Sequence, residues 1–119
     1  MYFTFKELIS TQCGLENIPT KMEHVENLVC LADFLNEVRE EFGEPIYVNS
    51  AYRTYDVNKR VGGVANSLHC VGRAADIRPC YVRSCDYAKN LQRLIDVIKT
   101  KKDRLSQFIP YSNFIHIAL

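Results

Sequence analysis

Two histidines and one aspartate have the residue types and spacing that can do chemistry in this chain. His69 and Asp76 lie seven residues apart in the segment Ser67–Ile77, and His116 lies far downstream in Phe114–Ile117. Two imidazoles and one carboxylate form a ligand set that suits Zn²⁺ and leaves a position free for water. The set predicts a metal site, although a hydrogen-bonded structural role is the simpler interpretation of either histidine taken alone.

The local sequence indicates which elements position these side chains. Asp76 falls in a short stretch, residues 74–78, that predicts a strand, and His116 falls in a second such stretch, residues 114–118. Because side chains alternate along a strand, the apolar neighbours of Asp76 would face the helices and Asp76 the opposite way. If the two strands pair, Asp76 and His116 converge on one face. His69, on the loop that enters the first strand, then completes the ligand set.

The rest of the pattern predicts an α+β fold, with an antiparallel sheet flanked by helices. Helical spacing of apolar residues (25, 28, 29, 32, 35, 38 and 42) predicts a helix over residues 23–42, ended by Gly43. A second helix is predicted over about 85–99, with Ser84 or Asp86 as its cap. Strands are predicted over residues 45–50, 74–78, 107–109 and 114–118, the last two forming a hairpin.

Composition limits the domain count and the classes of partner. Hydrophobic residues make up 47% of the 119 residues and charged residues 24%, which is typical of a folded soluble protein. We expect residues 1–119 to form a single domain, with the polar segment 53–63 as a loop that contains one helical turn. The net charge of +1 argues against nucleic-acid and membrane-surface binding, and we expect a monomer.

Four motifs follow one another along the chain in a characteristic order: Ser50–Arg53, then Asn58 with Val61–Gly63, then Ser67–Ile77, and finally Phe114–Ile117. Together they resemble the M15 family of zinc D-Ala-D-Ala peptidases, in particular its short bacterial and phage subgroup. The resemblance covers most of the chain. It implies the hedgehog/DD-peptidase fold, an antiparallel sheet flanked by helices, which agrees with the order of elements predicted above.

Residue by residue, the resemblance implies that His69, Asp76 and His116 bind Zn²⁺. Arg53 would lie near the metal and either stabilise an oxyanion or hold a substrate carboxylate through its planar set of donors. Ser67 would orient its loop or support a ligand by hydrogen bonding. The implied reaction is metal-assisted hydrolysis of a peptide bond in a D-amino-acid-containing peptide of peptidoglycan. The glycines of these motifs are expected to shape the backbone.

The sequence departs from the family at the general base, which the family provides as a carboxylate a few residues before the last histidine. Here the last fifteen residues contain no Asp or Glu, and Asn113 stands three residues before His116. An amide cannot act as this base, and Tyr111 is a weak one because the ordinary pKa of a phenol is about 10. Three alternatives remain: a base from Asp56 or Asp86, a zinc-containing binding module that does not cut, or a metal-free domain with a relict site.

The resemblance also implies a place of action. The first residues show no basic region followed by an apolar core, so we expect synthesis in the cytoplasm without a signal peptide. The expected partner is a peptidoglycan peptide at the cell wall. We expect the protein to reach it through phage lysis or virion delivery.

Overall fold

The centre of the fold is a four-stranded antiparallel sheet with the strand order β1-β2-β4-β3. The computed structural model describes residues 2–80 and 86–119. Its strands are β1 (Ile46–Ser50), β2 (Ala74–Pro79), β3 (Gln107–Pro110) and β4 (Ile115–Ala118). The predicted α+β class with an antiparallel sheet is confirmed, and each strand differs from its predicted bounds by one residue at one end.

In the described part of the chain, four α-helices and two short 3-10 helices surround the sheet. The α-helices are α1 (Phe5–Leu8), α2 (Met22–Phe42), α3 (Tyr55–Arg60) and α4 (Tyr87–Lys99), and the 3-10 helices are Leu68–Val71 and Lys102–Arg104. As predicted, α2 ends at Gly43, whose φ of 79° is the left-handed conformation that glycine adopts most easily. Within the described residues, no helix is long and apolar enough to cross a membrane.

Two local predictions about the helices were incomplete. The loop after β1 contains the six-residue helix α3 rather than a single turn, because the hydroxyl of Thr54 caps it and accepts a hydrogen bond from the Val57 amide at 3.2 Å. The helix α4 begins at Tyr87, and Asp86 occupies its cap position without a capping hydrogen bond from its side chain. The other predicted cap, Ser84, lies outside the described residues.

The hydrophobic core lies between one face of the sheet and the helices α2 and α4. The buried residues of α2 are Leu28, Leu31, Phe34, Leu35, Val38 and Phe42. The apolar stripe predicted for this helix wrongly included Val29, which is 56% exposed, and left out the buried residues Leu31 and Phe34. Positions 28, 31, 35, 38 and 42 recur every three or four residues and face the core, whereas position 29 lies beside this stripe on the solvent side.

The register of the sheet separates the core from a polar face. Asp76 and His116 are Cα partners in the pairing of β2 with β4, so the predicted pairing of these two strands is confirmed. Their neighbours Ile77 and Ile115, also partners, are fully buried against the helices. An irregularity between Val48 and Ser50 brings Ser50 opposite Asp76. The face of the sheet that points away from the helices therefore carries polar side chains at its centre.

Candidate metal centre

Three potential metal ligands converge on the polar face of the sheet. His69, Asp76 and His116 each offer a donor atom, and these atoms all lie within 4.8 Å of one another. The rings of the two histidines are 5.3 Å apart between centroids. We call these three residues the metal cluster. They come from three different elements, so the fold as a whole brings them together.

His69 is held by the 3-10 helix Leu68–Val71, which is fixed at both ends. The hydroxyl of Ser67 caps the start and accepts a hydrogen bond from the His69 amide at 3.2 Å. Gly72 closes the other end with a φ of 80°, and a Cβ there would lie 2.7 Å from the carbonyl oxygen of His24. Only glycine fits both the backbone conformation and this close approach to the start of α2.

The hydrogen bond of the His69 ring determines which nitrogen is available to a metal. Its Nδ1 lies 2.6 Å from the carbonyl oxygen of Ala51. A carbonyl oxygen only accepts, so Nδ1 carries a proton, and in the neutral ring Nε2 keeps its lone pair. This Nε2 lies 3.4 Å from Oδ1 of Asp76. The His69 side chain is 3% exposed, so water does not compete freely for this nitrogen.

His116 presents its other nitrogen to the same carboxylate. Its Nδ1 is 2.8 Å from Oδ1 of Asp76, and its Nε2 is 2.8 Å from Oε1 of Gln107. When the Nε2 proton is donated to Gln107, the lone pairs of both histidines face one carboxylate oxygen. Three acceptors cannot share this space unless a cation, either a proton or a metal ion, lies among them. The donor set fits Zn²⁺, which takes imidazole nitrogens and carboxylate oxygens.

The carboxyl group of Asp76 is suited to binding a cation. Burial alone would raise its pKa, but in the metal-free site, where protons on the two imidazoles take the place of a metal ion, the hydrogen bonds and positive charge of His116 and His69 outweigh burial and hold the pKa of Asp76 well below its usual range. Asp76 is therefore a carboxylate near neutral pH. It carries the negative charge that a divalent cation needs.

Arg53 lies on the far side of the same carboxylate. Its Nη2 is 3.5 Å from Oδ2 of Asp76, and its backbone amide donates to the His69 carbonyl at 3.0 Å. The guanidinium is also anchored by two neutral acceptors, because Nε donates to Oγ of Ser50 at 3.0 Å and Nη1 to Oδ1 of Asn58 at 3.2 Å. Arg53, which the sequence predicts to lie near a metal, thus has a fixed orientation beside the metal cluster.

Asn58 holds Arg53 because Gly63 leaves room for it. Asn58 is 2% exposed, and its Nδ2 donates to the Val64 carbonyl at 2.7 Å. A Cβ on Gly63 would lie 2.0 Å from Oδ1 of Asn58 and 3.1 Å from Nη1 of Arg53. Asn58 and Gly63 belong to the same sequence motif, and the contact between them explains how they hold the guanidinium of Arg53.

The two other predicted supporting residues lie in the turn between β3 and β4 and make their contacts elsewhere. The Tyr111 ring stacks on Phe114 with 4.7 Å between centroids, and the backbone carbonyl of Asn113 accepts a hydrogen bond from the hydroxyl of Tyr87. Tyr111 and Asn113 are exposed. In residues 2–80 and 86–119, neither side chain hydrogen-bonds to the metal cluster.

The alternative bases predicted from the sequence are not members of the cluster. Asp56 is exposed in the first turn of α3 and lines a surface depression with Lys59 and Arg60. Asp86 lies at the start of α4. Among the residues that the structure describes, Asp76 is the one carboxylate of the cluster.

The comparisons with known proteins agree with this geometry. A family model described as Peptidase M15 matches residues 1–118. No curated protein matches the chain. The match specifies the family and leaves the short bacterial and phage subgroup as a prediction. Because it spans almost the whole chain, which also brings together a His–Asp–His cluster, this chain belongs to the peptidase M15 family, whose members are metallopeptidases.

Proposed function

We propose that this protein is a zinc peptidase that hydrolyses a peptide bond in D-amino-acid-containing peptides of peptidoglycan. The observation that carries the proposal is the convergence of two imidazole nitrogens on one partly buried carboxylate, in a chain of the M15 family. His69 through Nε2, His116 through Nδ1 and Asp76 would hold the metal. Zn²⁺ bound there would polarise the scissile carbonyl and lower the pKa of a bound water to about 7.

Arg53 would bind and orient the substrate in this proposal. Three of its N–H donors are engaged, by Ser50, Asn58 and Asp76. A guanidinium has five, so within the described residues one N–H on each terminal nitrogen remains for a ligand. These two donors suit an oxygen with developing negative charge or a terminal carboxylate. Because the side chain is already fixed, little conformational entropy is lost when substrate binds.

The second candidate function is a zinc-containing binding module of the same fold that recognises peptidoglycan peptides with little or no hydrolysis. The observation in its favour is the single carboxylate of the metal cluster, together with Asn113 at the position where the family has its base. Asp76 cannot serve as base while it binds the metal. Hydrolysis would then need a proton acceptor from outside the cluster.

Two measurements test the proposal and separate the two functions. The first is the zinc content of the purified protein, with His69→Ala as the variant expected to lose it. The second is incubation of the zinc-loaded protein with muropeptides, followed by mass spectrometry. Release of D-Ala would support a carboxypeptidase, and release of a larger fragment an endopeptidase. Zinc binding without turnover, with turnover gained in Asn113→Asp or Asn113→Glu, would support the binding module.

The proposal includes a route to the substrate. We propose that the protein acts as a monomer at the cell wall, which it reaches through phage lysis or as part of a virion. Measurement of its mass in solution and its detection in purified virions test these two statements.

A further inference from the structure

His116 lies between two oxygen atoms, and in its neutral form it can donate to only one of them. Nδ1 is 2.8 Å from Oδ1 of Asp76, and Nε2 is 2.8 Å from Oε1 of Gln107. A neutral imidazole carries one N–H, so the other nitrogen keeps a lone pair. Metal binding through Nδ1 requires the proton to be on Nε2. The partner of Nε2 therefore influences how readily His116 acts as a ligand.

The pairing of β3 with β4 brings Gln107 to this nitrogen. The Cα partner of Gln107 is Ala118, and that of His116 is Ile109. Alternation along the two strands puts Gln107 and His116 on one face at diagonal positions, which long side chains can bridge. Within the described residues, the Gln107 side chain makes one hydrogen bond, which is the one to His116. Its amide is therefore free to serve this one partner.

We propose that Gln107 is a positioning residue of the metal centre. Its amide oxygen accepts the Nε2 proton of His116 and so turns the Nδ1 lone pair toward the metal. This inference rests on the proposed zinc function and extends it to a residue outside the ligand set. Because an amide is a neutral acceptor, it supports this tautomer without adding a second negative charge beside Asp76. A carboxylate in its place would increase the basicity of the imidazole and tighten metal binding.

The test is the zinc affinity of Gln107 variants, measured by competition with a chromophoric chelator. Gln107→Leu removes the acceptor and is expected to weaken zinc binding by about 10-fold, the lower end of the effect of such partners. Gln107→Glu is expected to strengthen it. If Gln107 only filled space, these two substitutions would not change the zinc affinity in opposite directions. Gln92→Leu removes another exposed glutamine, on α4, whose amide donates a hydrogen bond to Asp96 at 2.9 Å, and is expected to have no effect.

The salt dependence separates a hydrogen bond from general attraction by charge. In 1 M salt the screening length is about 3 Å, so a directly hydrogen-bonded carboxylate at position 107 is expected to keep most of its gain. A gain that vanished in 1 M salt, or Gln107→Leu binding zinc within twofold of wild type, would overturn the inference while the zinc site itself stood. Circular dichroism melting of each variant shows that it is folded. Tight zinc binding that depends on Gln107, without peptide hydrolysis, would instead contradict the proposed peptidase activity alone.

Discussion

The metal cluster and the turn that joins β3 to β4 are built differently, although His116 of the cluster lies just after the turn along the chain. Each side chain of the cluster is at most 15% exposed, and the hydrogen bonds of both histidine rings and of Arg53 fix their orientation. The turn, residues 111–114, is exposed over its first three residues and contributes aromatic stacking and a backbone carbonyl. The family would place its base close to this turn. In the proposed function, metal binding and proton transfer would thus belong to two separate regions of the described structure.

The sharpest test of this difference is the removal of the central carboxylate. Asp76→Asn keeps the shape of the side chain and removes the charge that faces both histidines. We expect zinc affinity to fall more than about 100-fold, because loss of even an outer partner of a metal ligand costs 10–100-fold. The measurement is chelator competition. Asp56→Asn, a matched change on the exposed surface of α3, is expected to bind zinc like wild type, and an equal loss in both variants would argue against a specific site.

The next largest effect is expected when the contact by which Asn58 holds Arg53 is disturbed. Gly63→Ala would drive a Cβ to 2.0 Å from Oδ1 of Asn58, so the buried amide that holds Arg53 must move. We expect the free energy of unfolding to fall by about 1–3 kcal/mol, the usual cost of overpacking, with zinc retained. Urea denaturation and metal analysis measure the two properties.

The matched control for that variant is Gly62→Ala. Gly62 has a φ of 78° with no neighbouring atom within 4 Å, so alanine there incurs backbone strain without displacing Asn58. Both variants are expected to lose stability, but only Gly63→Ala should weaken binding of a muropeptide. Equal peptide affinity in the two variants would show that Asn58 does not hold Arg53 for substrate binding.

The pH dependence of stability in the metal-free protein tests the metal cluster alone, by a smaller effect. The pKa of Asp76 in the folded state lies below its unfolded value of about 4. Its contribution to stability is therefore present above pH 4 and lost as the pH falls through the folded pKa. Urea denaturation of wild type and Asp76→Asn between about pH 5.5 and 2 should give curves that approach each other toward low pH. A difference in unfolding free energy that stayed constant over this range would contradict the assignment.

The smallest expected effect is in the turn. Asn113→Ala and Tyr111→Phe remove side-chain groups that do not hydrogen-bond to the cluster in the described structure. We expect their zinc affinities to stay within twofold of wild type. A loss of 10-fold or more in either variant would mean that the turn supports the metal, and the separation of the two regions would then be wrong.

The convergence of His69, Asp76 and His116 was predictable in part from the sequence. Strand alternation put Asp76 and His116 on one face only on condition that their strands pair, which residue spacing cannot specify, and the family resemblance supplied the three residues as a set. The roles of Gln107 and of the Asn58–Gly63 contact were not predictable in the same way. Gln107 meets His116 diagonally across two strands, and Asn58 meets Gly63 because α3 forms where one turn was expected. Both contacts depend on register and helix length, which residue types alone do not specify.

The central claim is that His69, Asp76 and His116 bind one zinc ion, and metal analysis of the purified protein tests it most directly. The wild-type protein, exposed to a small excess of zinc and then desalted, should retain about one zinc per chain by elemental mass spectrometry. The same treatment of Asp76→Asn should leave none. A folded wild-type protein that retained no zinc, or an Asp76→Asn variant that retained as much as wild type, would contradict the account.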